Sequence, residues 1–465
     1  MNACLAIVNC SLCLSSTSLA RKMIVEDFKI CPNGYRGCDK EKLYFGTFYF
    51  MLYMSALFGC IISLFFKSVN RRKYMMTIHY MYIIGSILTI YSKAHIILFL
   101  FSQALFGLSI GCSIVIVSLY ILEYTPKEYQ QFYGYTIQTF FSIGLLISYV
   151  FGSFYENIWF KNDKVTYWIL ITFYKIHLCL PLLFSVISLV LLYFVYTMDT
   201  PLHLYESQKY DKFEKIKKKV SKKEFNEKIE YHTNMTTNEI SLLGNDINII
   251  DFFKNRKLRN SCFTGSLLCY LYSFNGCFLF FNKLFLFYKA FSNTMTNTFT
   301  AMGFILFYFI CTIITTILAQ KYNKKDLLII GLILQGISAT GIVGSYFLNF
   351  SNVLNQIILT VAIAFYFLGL SLGFGHIIWT HVFEMFPKEC RVVGAFCSYY
   401  ALFIGAFIMS ILLEYVSMQY YSYLFITFLV SLIASVLCSG LFCQEDAVAI
   451  KRHDSIAPSE ELVAP

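Results

Sequence analysis

The stretch GHIIWTHVFEMFPKECR, from Gly375 to Arg391, ends a long apolar run with a tryptophan and then charged residues at a proline-marked turn. A weaker relative, SLYILEYTP, runs from Ser118 to Pro126, roughly half a chain earlier. In both stretches an acidic residue follows an apolar segment and precedes a proline. The recurrence predicts a membrane protein built from two related halves.

The amino-acid composition excludes a soluble protein of this size. Of the 465 residues, 57% are hydrophobic and 14% are charged, and the mean hydropathy is +0.61. So few charged residues cannot supply the polar surface that a soluble domain needs. Aromatic residues reach 18%, which suits lipid-facing helix surfaces and interfacial belts, although a biased genome would give the same excess.

Twelve apolar runs are candidates for membrane spans, because about 20 helical residues cross the hydrocarbon core. Backbone polar groups need internal partners in lipid, and the runs lack the period-two alternation of barrel strands. We therefore expect an all-α integral membrane protein. The runs are 3–20, 44–66, 74–92, 96–122, 132–154, 167–197, 262–289, 297–319, 326–348, 354–382, 392–414 and 419–443.

A polar, lysine-rich segment divides these runs six and six. The tight basic turns KSVNRRK (67–73) and QKYNKKD (320–326) occupy the same place in each half, as a parallel repeat predicts. The lysine-rich segment is interpreted as short intracellular helices, with a solvated linker as the alternative. The predicted divisions are an N-terminal six-helix bundle over 1–197, the cytoplasmic linker over 198–260, a C-terminal six-helix bundle over 261–443 and a cytoplasmic tail over 444–465.

The net charge of +10 indicates orientation in the membrane rather than nucleic-acid binding. The two basic turns fall on the same side as the linker, and the positive-inside rule makes that side cytoplasmic. We therefore expect both termini in the cytoplasm and the first connection, 21–43, on the other face. No retention signal is evident in the sequence, so we expect a multi-pass protein of the plasma membrane.

Two features mark the predicted external face. Cys31 and Cys38 share the connection CPNGYRGC, and an external loop meets an oxidising environment, so the pair is a candidate disulfide. Asn349 begins an acceptor sequon for glycosylation. The other cysteines are scattered mostly through apolar runs without metal-ligand spacing, and no metal or cofactor is predicted.

Five segments in order carry a family resemblance. They are SLYILEYTPKEY (118–129), GYTIQTFFSIGLLISYVFG (134–152), MDTPLHLYE (198–206), DFFKNRKLR (251–259) and GHIIWTHVFEMFPKECR (375–391). With this order and spacing the chain resembles the sugar porter family of the major facilitator superfamily, from about residue 45 to residue 440. The resemblance implies twelve transmembrane helices in two six-helix bundles and transport by alternating access, with no covalent chemistry.

The resemblance also implies a latch of opposite charges at the cytoplasmic mouth, which holds the two bundles together and must release for inward opening. The alternative is a set of surface ion pairs worth less than about 1 kcal/mol each. Lysines replace arginines in the second half and lose the bidentate fork, so a weaker latch is expected there. The matching residues are Glu123, Arg71 and Arg72 in the first half, and Glu384, Arg391, Lys324 and Lys325 in the second.

The family's sugar site lies between the bundles near mid-membrane. Gln138, Asn275 and Trp379 match its glutamine, asparagine and tryptophan, while Gly373 and Gly375 lie where the tenth helix bends. Amide and indole groups bind sugar hydroxyls without a buried charge. The alternative for both amides is hydrogen bonding between helices.

Other family amides are lost from this site. A glutamine pair falls on Cys269 and Tyr270, an asparagine on Tyr308, and another on about Leu402. Tyr270 and Tyr308 could supply hydroxyl groups instead. Buried hydrogen-bond partners discriminate steeply between substrates, so the affinity or specificity is expected to differ from that for glucose.

Charge argues against coupling to protons, because a symporter needs a titratable residue in the membrane near the site. The first helix carries Asn9 rather than an acid, and the fourth carries Gln103 where the family's symporters have arginine. His376 and Lys175 are the intramembrane ionisable residues that the sequence indicates, and they are interpreted as a packing histidine and a lysine that snorkels outward. This pattern favours facilitated diffusion.

The sequence therefore predicts a membrane uniporter for a hexose or related sugar or polyol. The expected partners are the small-molecule sugar and the lipid bilayer, and the expected functional unit is a monomer. Two alternatives stay open: a transporter of another small organic solute, and a solute sensor that transports poorly. A membrane enzyme has no support, because the ionisable clusters lie at helix ends.

Overall fold

The computed structural model describes most of the chain. The glycosylation sequon at Asn349, the tail 444–465 and most of the predicted linker lie outside the described residues, as does the side chain of Glu384. The described residues are 2–31, 38–65, 70–92, 95–125, 129–158, 164–197, 199–200, 204, 249–291, 297–348, 351–386, 390–416 and 423–438.

The described residues form helices and no strand. In chain order the helices are α1 (Cys4–Leu19), α2 (Arg21–Asp27), α3 (Asp39–Phe65), α4 (Arg71–Tyr91), α5 (Ile96–Tyr124), α6 (Gln130–Ile158), α7 (Lys164–Phe194), α8 (Ile249–Lys254), α9 (Arg256–Ser273), α10 (Cys277–Phe291), α11 (Asn297–Leu318), α12 (Lys324–Phe347), α13 (Asn352–Leu372), α14 (Phe374–Glu384), α15 (Arg391–Tyr415) and α16 (Tyr423–Cys438).

Most of these helices are long and apolar enough to cross a membrane. Within the described residues nine stretches meet this criterion, and the bent pair of α1 and α2 makes a tenth. One of the nine combines α9 with α10, and another combines α13 with α14. The helices α4 and α16 fill the third and twelfth places of the predicted order. The predicted all-α membrane architecture is therefore confirmed.

Three of the spans are broken. The axis turns by 63° between α1 and α2, so the predicted connection 21–43 begins with a helical turn. Gly276 has a φ of 90°, a left-handed value that favours glycine, and it separates α9 from α10. The third break is at Gly373, between α13 and α14, as the sequence predicted. The other two were not predicted.

Small residues allow close packing between neighbouring helices. A Cβ atom added to Gly107 of α5 would lie 2.0 Å from the carbonyl oxygen of Leu52, and one added to Gly111 would lie 2.1 Å from that of Ala56. Both carbonyl groups belong to α3. Such contacts let helix backbones approach closely where apolar burial gives no driving force between helices in lipid.

Helices α1 to α7 form the first half of the molecule, and α9 to α16 form the second. The halves meet where α3 packs against α15 and where α6 packs against α11. One end of the molecule, here called the disulfide end, carries the joined Cys31 and Cys38, whose Cα atoms are 6.1 Å apart. The opposite end carries the starts of α4 and α12 and is called the Arg71 end.

Candidate transport site and the two ends of the path

Gln138 lies at the boundary between the halves, and both ends of its amide are occupied by residues of the second half. The indole nitrogen of Trp379 on α14 donates to Oε1 of Gln138 over 2.5 Å. The Nε2 group of Gln138 donates to the hydroxyl oxygen of Tyr308 on α11. Gln138 and Tyr308 are fully buried, and Trp379 is 6% exposed. Three of the predicted substrate-binding residues therefore form one cluster.

Gly375 lets α14 approach Gln138. A Cβ atom at this position would lie 3.4 Å from Nε2 of Gln138 and 2.7 Å from the carbonyl oxygen of Leu370. A larger residue would therefore press on the backbone at the break between α13 and α14. The predicted place of Gly375 beside the site agrees with this geometry.

Aromatic rings surround this cluster. Phe141 of α6 lies 6.3 Å from the ring of Trp379 and 5.5 Å from that of Phe281. Phe281 and Phe367 lie 5.9 and 5.2 Å from Tyr308. A few neutral polar groups among apolar and aromatic walls are typical of a small-molecule site.

Further polar contacts cross the boundary beside Gln138. Ser142 and Thr312 have hydroxyl groups 3.0 Å apart, and Thr139 and Thr316 repeat this contact at 3.0 Å. These contacts extend the boundary between α6 and α11 by neutral hydrogen bonds. Every one of them must break if the two halves part here.

His376 is a buried packing residue, as the sequence predicted. Its Nδ1 atom lies 2.5 Å from the carbonyl oxygen of Ser371, and its Nε2 atom lies 3.5 Å from the Thr316 hydroxyl. Its ring also packs on Tyr135 with centroids 4.8 Å apart. These contacts fix the ring within the wall of the site.

Asn275 is placed apart from the Gln138 cluster. Its Nδ2 group donates to Oε1 of Gln335 on α12 over 2.8 Å, and its carbonyl oxygen accepts from the hydroxyl of Tyr366 at 3.0 Å. Both amide side chains are buried. In this conformation Asn275 therefore has the contacts of the alternative interpretation, a hydrogen bond between helices.

Tyr270 also lies outside the cluster. Its side chain is half-buried, and its ring packs on that of Phe274 with centroids 4.9 Å apart. Its carbonyl oxygen approaches Gly405 of α15. The two tyrosines that could supply hydroxyl groups are thus separated, with Tyr308 at Gln138 and Tyr270 elsewhere.

At the Arg71 end, the predicted first-half latch is an ion pair within one half. Nε of Arg71 on α4 lies 3.3 Å from Oε1 of Glu123 on α5, with side chains only 7% and 4% exposed. Arg72 donates from its guanidinium to the carbonyl oxygen of Leu192 at 2.8 and 3.1 Å, which ties α4 to α7. The Arg71–Glu123 pair is buried, unlike a surface ion pair, and the contacts of both arginines join helices of the same half.

The second-half latch is described only in part. Arg391 donates from Nε to the carbonyl oxygen of Phe386 at 3.3 Å. Lys324 is half-buried and Lys325 is exposed at the start of α12. Because the side chain of Glu384 lies outside the described residues, the predicted pairing of Glu384 with Arg391 stays a prediction.

The sequence interpretation missed four charged residues at the disulfide end. Arg21, Glu41, Lys283 and Glu414 come from α2, α3, α10 and α15, and they form one buried network, here called the quartet. The naming of His376 and Lys175 as the intramembrane ionisable residues was therefore incomplete. The available signal was a charge inside each of two apolar runs, Lys283 in 262–289 and Glu414 at the end of 392–414.

Lys175 is paired rather than free to reach outward. Its Nζ atom lies 3.2 Å from Oδ2 of Asp27, which also accepts from the hydroxyl of Tyr174. This contact ties α2 to α7 within the first half. Among the described residues, no group of three or more His, Cys, Asp or Glu side chains could hold a metal ion.

The structure thus has helices in the order predicted for twelve spans, a neutral polar cluster between the two halves and charged contacts at both ends. The family model described as sugar (and other) transporter matches residues 16–447. The chain belongs to this family. The match covers both halves and every residue of the Gln138 cluster.

Curated relatives share this family. Hexose transporter 1 of Plasmodium vivax is 25% identical over 409 residues, which cover 84% of this chain and 78% of the relative. Hexose transporter 1 of Plasmodium falciparum is 22% identical over 96% of this chain and 89% of the relative. Glucose transporter GlcP of Staphylococcus epidermidis is 23% identical over 74% of this chain and 72% of the relative.

Solved structures establish the fold. The proton:xylose symporter XylE bound to 6-bromo-6-deoxy-D-glucose matches with a TM-score of 0.73 and 14% identity, over 95% of this chain and 94% of that chain. The partially occluded, inward-open XylE from E. coli matches with a TM-score of 0.70 and 13% identity, over 94% and 96%. The protein therefore has the major facilitator fold that the sequence predicted.

Proposed function

We propose that this protein carries a hexose or a related sugar or polyol across the membrane by facilitated diffusion, through alternating access. It acts as a transporter and not as an enzyme. The family match and the names of its relatives support a sugar as the substrate. Two halves that meet around a neutral polar cluster suit a mechanism in which they rock about a central site.

The observation that carries this proposal is the position of Gln138. Its amide belongs to the first half, and its two partners, Tyr308 and Trp379, belong to the second. A sugar hydroxyl can both donate and accept, so it can replace either partner as the halves part. The site then binds the same sugar whichever end is open.

Facilitated diffusion is supported by the absence of charge at this cluster. Gln138, Tyr308 and Trp379 are all neutral, and Asn9 of α1 donates to the hydroxyl of Ser185 over 2.8 Å. Among the described residues, no acidic side chain forms a hydrogen bond with the Gln138 amide. A carrier that binds its substrate through neutral groups needs no proton to balance a charge in the site.

We further propose that the Arg71 end faces the cytoplasm of the cell, and that the protein lies in the plasma membrane as a monomer. Arg71, Arg72, Lys324 and Lys325 cluster at the starts of α4 and α12, and such basic residues favour the cytoplasmic side. The disulfide end then faces an oxidising exterior, where the bond between Cys31 and Cys38 is stable.

The proposal is tested by uptake of radiolabelled glucose into proteoliposomes that contain the purified full chain. We expect saturable uptake that unlabelled glucose inhibits. The Gln138→Ala variant is expected to fold normally and to transport with a raised KM. If no labelled hexose or polyol enters through well-folded protein, the proposed function is wrong. If labelled glucose enters and another small solute inhibits its uptake more strongly than unlabelled glucose does, that solute identifies the substrate class instead.

A further inference from the structure

The quartet at the disulfide end is a compact network of opposite charges. Nε of Arg21 lies 2.6 Å from Oε1 of Glu41, and Nη1 of Arg21 lies 2.8 and 3.1 Å from the two carboxylate oxygens of Glu414. Nζ of Lys283 lies 2.8 Å from Oε1 of Glu414. The Glu414 side chain is fully buried, and the other three side chains are at most 16% exposed.

The boundary between the halves divides this quartet evenly. Arg21 and Glu41 belong to the first half, and Lys283 and Glu414 belong to the second. Each half therefore contributes one cation and one anion that contact each other. The ion pair between Arg21 and Glu414 crosses the boundary. Ionisable residues inside a membrane protein are costly and rarely retained without a function.

We propose that the quartet is the gate of the transport path at the disulfide end, and that it parts into two neutral ion pairs, Arg21–Glu41 and Lys283–Glu414. The crossing contact holds the end closed. When it breaks, every charge keeps a counter-ion on its own half. This inference rests on the proposed function, because it assigns these four residues to the opening step of transport.

Neighbouring hydrogen bonds close the same end. The hydroxyl of Ser18 on α1 donates to the carbonyl oxygen of Asn282 over 2.5 Å. The hydroxyl of Tyr149 on α6 donates to the carbonyl oxygens of Phe280 and Phe281 at 3.0 and 3.2 Å. Both donors belong to the first half, and all three acceptors belong to α10. The quartet thus lies on a boundary that single hydroxyl groups seal.

Neutral polar side chains also line this boundary. Tyr49 and Tyr53 on α3, Asn282 on α10 and Ser410 on α15 are all buried there. Tyr53 faces both Asn282 and Ser410 across the boundary, and Tyr49 lies beside Glu414. Such neutral polar groups can exchange these contacts for water when the path opens.

The decisive experiment compares two double variants that remove the same number of charges and leave the quartet neutral. Glu414→Gln alone leaves two cations with one anion and should lower glucose uptake by about tenfold or more. Adding Lys283→Met removes the whole second-half pair and should restore uptake to within about threefold of the wild type. Adding Arg21→Gln instead removes the crossing ion pair itself and leaves one charge on each half, Glu41 on the first and Lys283 on the second, and should not restore it.

The result that would overturn the gate is equal uptake by the two double variants, or a failure of Lys283→Met to rescue Glu414→Gln. Each variant is checked for monodispersity and thermal unfolding. If the second-half double variant does not fold, Arg21→Met with Glu41→Gln removes the first-half pair instead. This variant should also transport, and its failure when folded would equally contradict the proposal.

A second measurement separates the gate from the identity of the substrate. Ser18→Cys places a thiol at the seal, and a membrane-impermeant maleimide added at the disulfide end reports its opening without any sugar. The labelling rate, corrected for the native cysteines, should rise in the order wild type, second-half double variant, crossing double variant. If this order holds while the wild type carries no hexose, the gate stands and the proposed substrate is wrong. If all three label at the same rate, the gate is wrong.

Discussion

The ion pairs described at the two ends of this molecule join different parts of it. At the Arg71 end, the described ion pair between Arg71 and Glu123 joins two helices of the same half. At the disulfide end, Arg21 reaches across the boundary to Glu414 and places four charges from both halves in contact. A charged pair within one half shapes that half, whereas a pair across the boundary opposes its opening.

The difference shows what family motifs can and cannot reveal. The basic turn 67–73 and the matched segment 118–129 led directly to Arg71 and Glu123 at the Arg71 end. The four residues of the quartet lie outside every matched segment. Its charges are recognised from their burial and mutual distances alone. A resemblance therefore directs attention to one end of the path and leaves the other unexamined.

The largest expected effect is that of Glu414→Gln at the disulfide end. Removing one partner of a buried ion pair leaves an uncompensated charge and costs about 3–5 kcal/mol. Here both Arg21 and Lys283 lose an anion. Thermal or denaturant unfolding in detergent should show this loss. A free energy of unfolding within about 1 kcal/mol of the wild type would contradict the buried network.

A smaller effect is expected for Glu123→Gln at the Arg71 end. Arg71 loses the carboxylate that it contacts at 3.3 Å, and a hydrogen bond to a charged group contributes about 1.5–3 kcal/mol. The pair lies within one half, so maleimide labelling of Ser18→Cys at the disulfide end should not change. An increase in labelling as large as that of Glu414→Gln would show that the two ends are not distinct.

The buried amides of Gln138 and Asn275 are expected to have different roles, the first in substrate binding and the second in stability. Gln138→Ala should raise the KM for glucose by about tenfold, the equivalent of one good hydrogen bond. Asn275→Ala removes the partner of Gln335 and should lower the free energy of unfolding by about 1–3 kcal/mol, with the KM unchanged. Uptake kinetics and unfolding, measured on the same preparations, separate the two roles. An equal rise in KM for both variants would mean that Asn275 also binds the substrate.

The smallest effect is expected for Lys40→Gln. Lys40 is exposed and adjacent in sequence to Glu41, so the variant changes charge at the disulfide end without touching the quartet. Exposed substitutions of this kind usually change stability by less than about 0.5 kcal/mol. Uptake and unfolding should match the wild type. A large loss would mean that net charge at this end, and not the buried contacts, governs the gate.

Much of the fold could be predicted because the apolar runs are long and regularly spaced. The break at Gly373 was predicted because this glycine lies just before the matched segment 375–391. The break at Gly276 was not, because a single glycine in an apolar run does not show that the backbone takes a positive φ. The break between α1 and α2 was missed because charged residues from Arg21 onward indicate a connection rather than a helical turn.

The candidate site was predictable where matched segments supplied its residues. Gln138 and Trp379 meet as their positions implied, and Tyr308 supplies a hydroxyl group to the same amide. The partner of Asn275 was not predictable, because Gln335 lies on a helix that no segment matched. The quartet was missed because its crossing partners are 393 positions apart in the sequence.

The central claim is that sugar moves through a neutral site between two charged ends without coupling to protons. In the proposed opening, Arg21 stays paired with Glu41 and Lys283 stays paired with Glu414. No unpaired charge is then left for a proton to neutralise. The most direct test is the steady-state distribution of labelled glucose in proteoliposomes under an inward proton gradient. The account predicts equal concentrations inside and outside, reached at the same rate without the gradient. Accumulation inside that collapses with the gradient would contradict it.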